Sequence, residues 1–185
     1  MKFGRFLAAC AALALASGGA CRGDEAGDLA KVVEGFYAAY STFHPSDGIP
    51  DAAGRSKYEP FISSGLDKLL VDAARAEETF ANANKDSPPL IEGDLFTSNF
   101  EGATSYVVGP CKGDSQAGQC TVALTYDDAR DHPGDKPIMW SDTVYLLATP
   151  QGWRVDDIGY GAIWAFGNKG RLSDMLRSTI ANAGN

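Results

Sequence analysis

The sequence is short of the residues on which the commonest site chemistries depend. Two histidines, His44 and His132, stand in 185 residues, each directly before a proline. They share no helix at ligand spacing, so a zinc-type metal site finds no ligand set. With so few histidines, no Ser–His–Asp combination stands out. No G-x-S-x-G, G-x-G-x-x-G or phosphate-loop pattern occurs, which removes the usual signatures of ester hydrolysis and nucleotide binding. No pattern asks for a cofactor. Positive charge is scarce: 16 Lys and Arg face 24 Asp and Glu, a net charge of −8. That balance excludes a general nucleic-acid binder and docking on anionic lipid by charge alone. After residue 16 there is no second long apolar run, so no transmembrane helix of about 20 residues is expected. What is present suits one globular domain, with 44% hydrophobic and 22% charged residues.

The N-terminus reads as an export signal. Lys2 and Arg5 precede an apolar run of 11 residues, Phe6 to Ala16, and Ser17-Gly18-Gly19-Ala20 supplies small residues. Gly18-Gly19-Ala20 fits ordinary cleavage. Cys21 follows, as in lipoprotein signals whose cysteine is lipidated, although Gly18 stands where such signals carry Leu. Lipidation at Cys21 is favoured over soluble secretion, because it leaves Cys111 and Cys120 as an even pair. Either way the destination is the bacterial envelope: periplasmic, or tethered to membrane through Cys21 alone. The expected organisation is a signal peptide at 1–20, a short linker or anchor at 21–28, and one α+β domain at 29–183. Removing residues 1–20 takes the charge from −8 to −10 over 165 residues.

Along the mature chain, Leu29, Val32, Val33, Phe36, Tyr37 and Tyr40 predict a helix over 24–42. A loop is expected over 45–56 and a turn over 58–62 that packs Phe61 and Ile62. A second helix is expected over 64–84, with Ser64 and Asp67 at capping-box spacing and a stripe through Leu66, Leu69, Leu70, Ala73, Ala74, Glu77 and Phe80. Pro88-Pro89 ends it. The period then shifts towards 2. Strands are predicted over 104–108, 121–126, 140–149 and 153–158, with a short edge strand over 94–97. Thr149-Pro150-Gln151-Gly152 is the turn between the last two. A bulge at Asp156-Asp157 would let Trp153, Val155 and Ile158 all face the core. A last helix over 171–182 presents Leu172, Met175, Leu176 and Ile180. Helices followed by consecutive strands mean α+β: N-terminal helices on a curved antiparallel sheet, with a C-terminal helix.

Two segments carry a family likeness. Val32-Val33-Glu34-Gly35-Phe36-Tyr37-Ala38-Ala39-Tyr40 is similar to the first helix of nuclear-transport-factor-2-like domains, and Gly152-Trp153-Arg154-Val155-Asp156-Asp157-Ile158 to their closing strand. With Leu90 to Ser98, the chain most resembles a bacterial secreted or lipoprotein family, domain of unknown function 3828, over residues 29–166. The resemblance implies a cone-shaped fold with a pocket between sheet and helices. Some relatives are isomerases or dehydratases and many only bind, so the likeness does not choose an activity.

Several residues are candidates for function. Cys111 and Cys120 flank a Gly-rich segment nine residues long in separation, with no His nearby, and read as a structural disulfide closing a loop. Asp127, Asp128, Asp131 and Asp135 cluster without the ordered calcium-loop spacing and read as a solvated hairpin loop. Asp142 and Asp157 are the candidate acid–base carboxylates, Asp156 being an alternative to Asp157, and Tyr126 is a candidate donor. Their competing role is to satisfy neighbouring backbone or Arg154. Trp140, Tyr160, Trp164 and Phe166, with Ile163 beside them, would line a ligand pocket or a partner surface, or else serve as core or lid. Two functions follow as expectations. The first is a non-catalytic envelope protein that binds a small ligand or a protein through the cone pocket or rim, an immunity-type protein facing a basic toxin being one form. The second is an acid–base isomerase or dehydratase acting on a small apolar substrate.

Overall fold

A computed structural model describes residues 22–42, 48–128 and 133–183 of the chain. The leader, Cys21, His44, His132 and Asp131 lie outside the described residues. The element order is α1 (Arg22–Thr42), α2 (Ala52–Arg55), α3 (Ser64–Ala83), β1 (Ser105–Gly113), β2 (Ala117–Tyr126), β3 (Ile138–Thr149), β4 (Gly152–Gly159) and α4 (Leu172–Asn182). The strands form one antiparallel sheet in the order β1-β2-β3-β4. The architecture is α+β, with a curled sheet and helices packed against it.

Period-2 alternation gives the sheet its inner face. Cys120, Val122 and Leu124 of β2 lie beside Trp140, Val144 and Leu146 of β3 and Val155 and Ile158 of β4, all buried. Against them α1 buries Leu29, Val33, Phe36, Tyr37 and Tyr40, the stripe that 3.6-residue spacing puts on one side. Aromatic rings fill the space between layers. Phe96 meets Phe36 edge-on at 5.3 Å and lies 4.8 Å from Tyr58, while Tyr37 stacks on Tyr106 at 5.3 Å. These side chains pack α1 and the 94–97 loop against the inner face of the sheet.

The strands run further than their most β-branched stretches. Strands β1 and β2 continue through the Gly-rich segment to a three-residue turn, Asp114 to Gln116, whose Asp114 Oδ1 accepts the N–H groups of Gln116 and Ala117. Cys111 and Cys120 are direct cross-strand partners at disulfide distance, with Cα atoms 4.1 Å apart. The bond closes the 111–120 segment, as expected, and does so by cross-linking two paired strands. The register shifts between Val108 and Cys111, a bulge that accommodates Pro110 in the edge strand.

In β4 the register shifts between Tyr145/Asp157 and Leu146/Val155, leaving Asp156 as the extra residue. The expected bulge is there. Val155 and Ile158 are buried and Trp153 packs on the same core.

Four local expectations are corrected. The loop over 45–56 contains α2, capped by Asp51, whose Oδ1 accepts from Gly54 N–H at 2.7 Å. The cap of α3 is Ser63, not Ser64: its Oγ accepts from Leu66 N–H at 3.0 Å, and Asp67 instead pairs with Arg55. In α4 the buried face is Leu172, Leu176 and Thr179, and Ile180 is turned outward. Finally, 94–97 is not a strand but part of a buried loop.

Candidate functional site

The loop from Gly93 to Asn99 passes through the interior, which backbone tolerates only when its polar groups are paired. Asp94 nucleates it. Its Oδ1 accepts the N–H groups of Phe96 and Thr97, each at 2.8 Å, an Asx-type turn that removes those donors from any strand ladder. Tyr40 from α1 hydrogen-bonds the same carboxyl and accepts the Ala103 N–H at 2.8 Å. Gly102, at φ 81°, leaves room for this pair: a Cβ there would come within 2.6 Å of the Tyr40 hydroxyl. Burial pushes the Asp94 carboxyl up to about 7, against the hydrogen bonds from Tyr40 and Thr97 that hold it down. Burial, with the charge of Asp94 second, also drives the Tyr40 phenol well above its ordinary range, so it stays a neutral donor.

Asp142 supplies the second anchor. It replaces an apolar residue in the inner row of β3, opposite Val122, and is 1% exposed. Four donors satisfy it. Oδ1 accepts from the Ser98 hydroxyl and from Gly161 N–H at 2.9 Å; Oδ2 accepts from Ser98 N–H at 2.8 Å and Trp140 Nε1 at 3.1 Å. A carboxylate with two donors on each oxygen is a fastening point.

What these anchors fasten is the chain after β4. Tyr160 donates its hydroxyl to Leu95 O at 2.7 Å, and Ala162 N–H reaches the Ser98 Oγ at 3.2 Å. Asn168 donates its amide to the carbonyls of Asp94 and Thr97, both at 2.8 Å, and its backbone N–H to Ser98 O. Lys169 bridges Ala162 O at 2.8 Å and Trp164 O at 2.5 Å. The segment 160–169 is thus stitched to the buried loop at both ends. Between the stitches it holds apolar side chains in solvent: Ile163 is 96% exposed and Phe166 92%. Trp164 rests edge-on against Trp140 at 5.6 Å. Trp164 and Phe166 share a concavity of about 580 Å³ with Asn99, Phe100, Glu101 and Ile138.

Of the residues expected to bind, Phe166 and Trp164 therefore line this surface, while Trp140 and Tyr160 sit behind it as supports. Of the acid–base candidates, Asp156 and Asp157 line a shallow groove with Leu66, Leu69 and Arg177, while Asp142 and Tyr126 lie elsewhere. Asp157 is buried at the start of α4, accepting from Ser173 N–H at 2.9 Å, Ser173 Oγ at 2.8 Å, Ile158 N–H at 2.9 Å and Arg171 Nη1 at 3.4 Å. Its neighbour Asp156 accepts from the Ser63 hydroxyl at 2.5 Å. Tyr126 closes β2 opposite Ile138, four residues along from Val122, the register partner of Asp142. Among the described residues no aspartate is held by Arg154, whose Nη1 donates to Trp153 O at 2.7 Å. Among the described residues no group of three His, Cys, Asp or Glu is arranged to hold a metal ion, and no helix is long and apolar enough to cross a membrane.

Sequence reasoning passed over Asp94, Ser98 and Asn168. The first leaves a trace, an Asp two residues before Phe96 where a strand would need an apolar alternation. The other two act only across 44 to 74 residues of chain and leave none. Neither the protein-family models nor the curated proteins contain a match to this chain.

Proposed function

We propose that this protein is a non-catalytic, exported envelope protein that binds a protein partner through the segment 160–169. In this reading residues 1–20 are a signal peptide, Cys21 is the lipid anchor or the first residue of a periplasmic form, and the domain is a cone of the nuclear-transport-factor-2-like kind whose rim does the binding. An immunity-type protein is one concrete form.

The observation that carries the reading is the contrast between how Ile163 and Phe166 are exposed and how firmly their backbone is held. Large apolar side chains in solvent are the anchors of interfaces, and holding them in place beforehand removes part of the ordering cost of binding. The acid–base alternative draws no comparable support, because the hydrogen-bonding capacity of Asp142 and Asp157 is committed to structure.

The test is site-specific photo-crosslinking in intact producing cells. A photoreactive residue at position 163 or 166 of the full chain is expected to give a discrete protein adduct. The same residue at position 107, where Val107 is exposed on the outer side of β1, is expected to give none. Equal adducts at both places, or none at either, would remove the reading.

A further inference from the structure

From this surface we infer that the partner presents an apolar side chain flanked by Lys or Arg, seated in the concavity between Phe100, Ile138, Trp164 and Phe166. The inference rests on the proposed binding role of the 160–169 segment and adds the chemistry of its partner.

The concavity is apolar in its walls and acidic around them. Glu101 lies on its lip. Asp127 and Asp128 directly follow Tyr126, the register partner of Ile138, and the Asp127 N–H bonds Thr104 Oγ1, which brings that end of β2 beside the 99–104 turn. Asp135 stands three residues before Ile138 and is exposed. Against these four carboxylates the described cations nearby are two. Lys136 is exposed, and the Lys169 ammonium keeps its charge while donating to the carbonyls of Ala162 and Trp164, so the carboxylates exceed the cations by two.

Three occupants compete for such a patch, and the charges sort them. An anionic lipid surface would meet carboxylates, which repel it. A second copy of the chain would bring the same carboxylates and a net charge of −8 against its like. A basic partner is steered in by that field, and its apolar anchor gains by leaving water in the ring-lined hollow. An apolar centre with a charged rim is the usual anatomy of a protein interface.

Four probes test this on the full exported chain, followed by Trp fluorescence, with Trp164 in the hollow as reporter. They are a Trp-free peptide of alternating Leu/Phe and Lys, its Glu-for-Lys counterpart, oligolysine of equal length, and vesicles of mixed zwitterionic and anionic lipid. The expected result is binding of the Lys/Leu/Phe peptide at least tenfold tighter than of either other peptide, with no vesicle binding. Phe166→Ala is expected to weaken that binding about tenfold, and Glu101→Gln with Asp135→Asn to weaken it several-fold and flatten its salt dependence. Equal binding of the Lys and Glu peptides would overturn the basic partner while leaving the binding segment in place. Oligolysine binding as tightly as the mixed peptide would overturn the apolar seat. Vesicle binding, or a dimer abolished by Phe166→Ala, would replace the basic protein by lipid or by a second copy. A discrete adduct at 163 or 166 in cells, combined with no peptide binding, would sink the partner chemistry alone; absence of the adduct would sink the binding role beneath it.

Discussion

Ser98 grips Asp142 twice, through its backbone N–H at 2.8 Å and through its hydroxyl, across 44 residues of chain. The pair joins the buried loop to the centre of the sheet, and the Ser98 hydroxyl passes the connection outward to Ala162. The fold and the exposed segment thus share one fastening.

Asp142→Asn should therefore loosen both. The amide keeps the shape but turns an NH₂ group towards donors, leaving buried N–H groups unpaired. Stability should fall by about 2–4 kcal/mol in denaturant unfolding. Amide exchange at Gly161, Ala162 and Asn168 should quicken more than at α4. Ser98→Ala should show the same pattern at about 1–2 kcal/mol. Uniform quickening across the domain would mean that Asp142 has no special tie to the outer segment.

Asp94 makes stability depend on pH in an unusual direction. Its carboxyl titrates near 7 in the fold against 3.8 when free, because burial disfavours the charged form. The folded chain therefore holds this proton more tightly than the unfolded chain. The contribution is complete below about pH 4 and is lost as pH rises through about 7, with a ceiling of about 4 kcal/mol. Asp94→Asn cannot ionise and should gain on the wild type between pH 5 and pH 8. Stability curves of the two proteins that run parallel over that range would refute the assignment.

Asp157 holds the first turn of α4 from a neighbouring strand, satisfying donors that Arg171 at the N-cap does not. Asp157→Ala should cost about 2–3 kcal/mol, since it removes a cap and leaves buried donors. Exchange should accelerate first in 172–176. Asp156→Ala should act instead at the start of α3, through Ser63, and leave α4 protected.

The cross-strand position of Cys111 and Cys120 sets what reduction does. Cys111→Ala with Cys120→Ala should lower stability by about 2–3 kcal/mol, the loop-closure value for nine residues of separation. The β1–β2 ladder runs on either side of the bridge, so far-ultraviolet circular dichroism should hold. A collapse of strand signal would show that the ladder does not form without the bond.

How much of this the sequence carried depends on the range of the interactions. Periodicity exposed the α1 face through Leu29, Val33, Phe36, Tyr37 and Tyr40, because a helix writes its buried side into neighbours three and four apart. The same logic found the β4 bulge, where Val155 and Ile158 break the alternation. It failed at 94–97, where one aspartate outbids strand propensity by binding two N–H groups. It failed at Ser63 by a single residue, since the cap is fixed by Asp156, 93 residues away. Asp142 and Asp157 drew attention as lone carboxylates in apolar strands. Their partners come from loops and from α4, so only the tertiary structure shows them to be fasteners. The presence of Trp164 and Phe166 after the last strand was visible, but which aromatic faced water was not.

The extra residue in β4 has a consequence for insertions and deletions. Upstream of Asp156 the odd-numbered positions Trp153 and Val155 turn towards the core; downstream the even-numbered Ile158 does. The strand changes phase by half a period, and that step is what allows adjacent carboxylates to serve two different helices. Deleting Asp156 would restore a regular ladder and leave Ile158, then two residues after Val155, on the core side opposite Val144; what it would remove is the carboxylate that holds Ser63. A deletion at Arg154 would instead make Trp153 and Val155 neighbours and turn them to opposite faces, so β4 can be shortened at its bulge and not beside it.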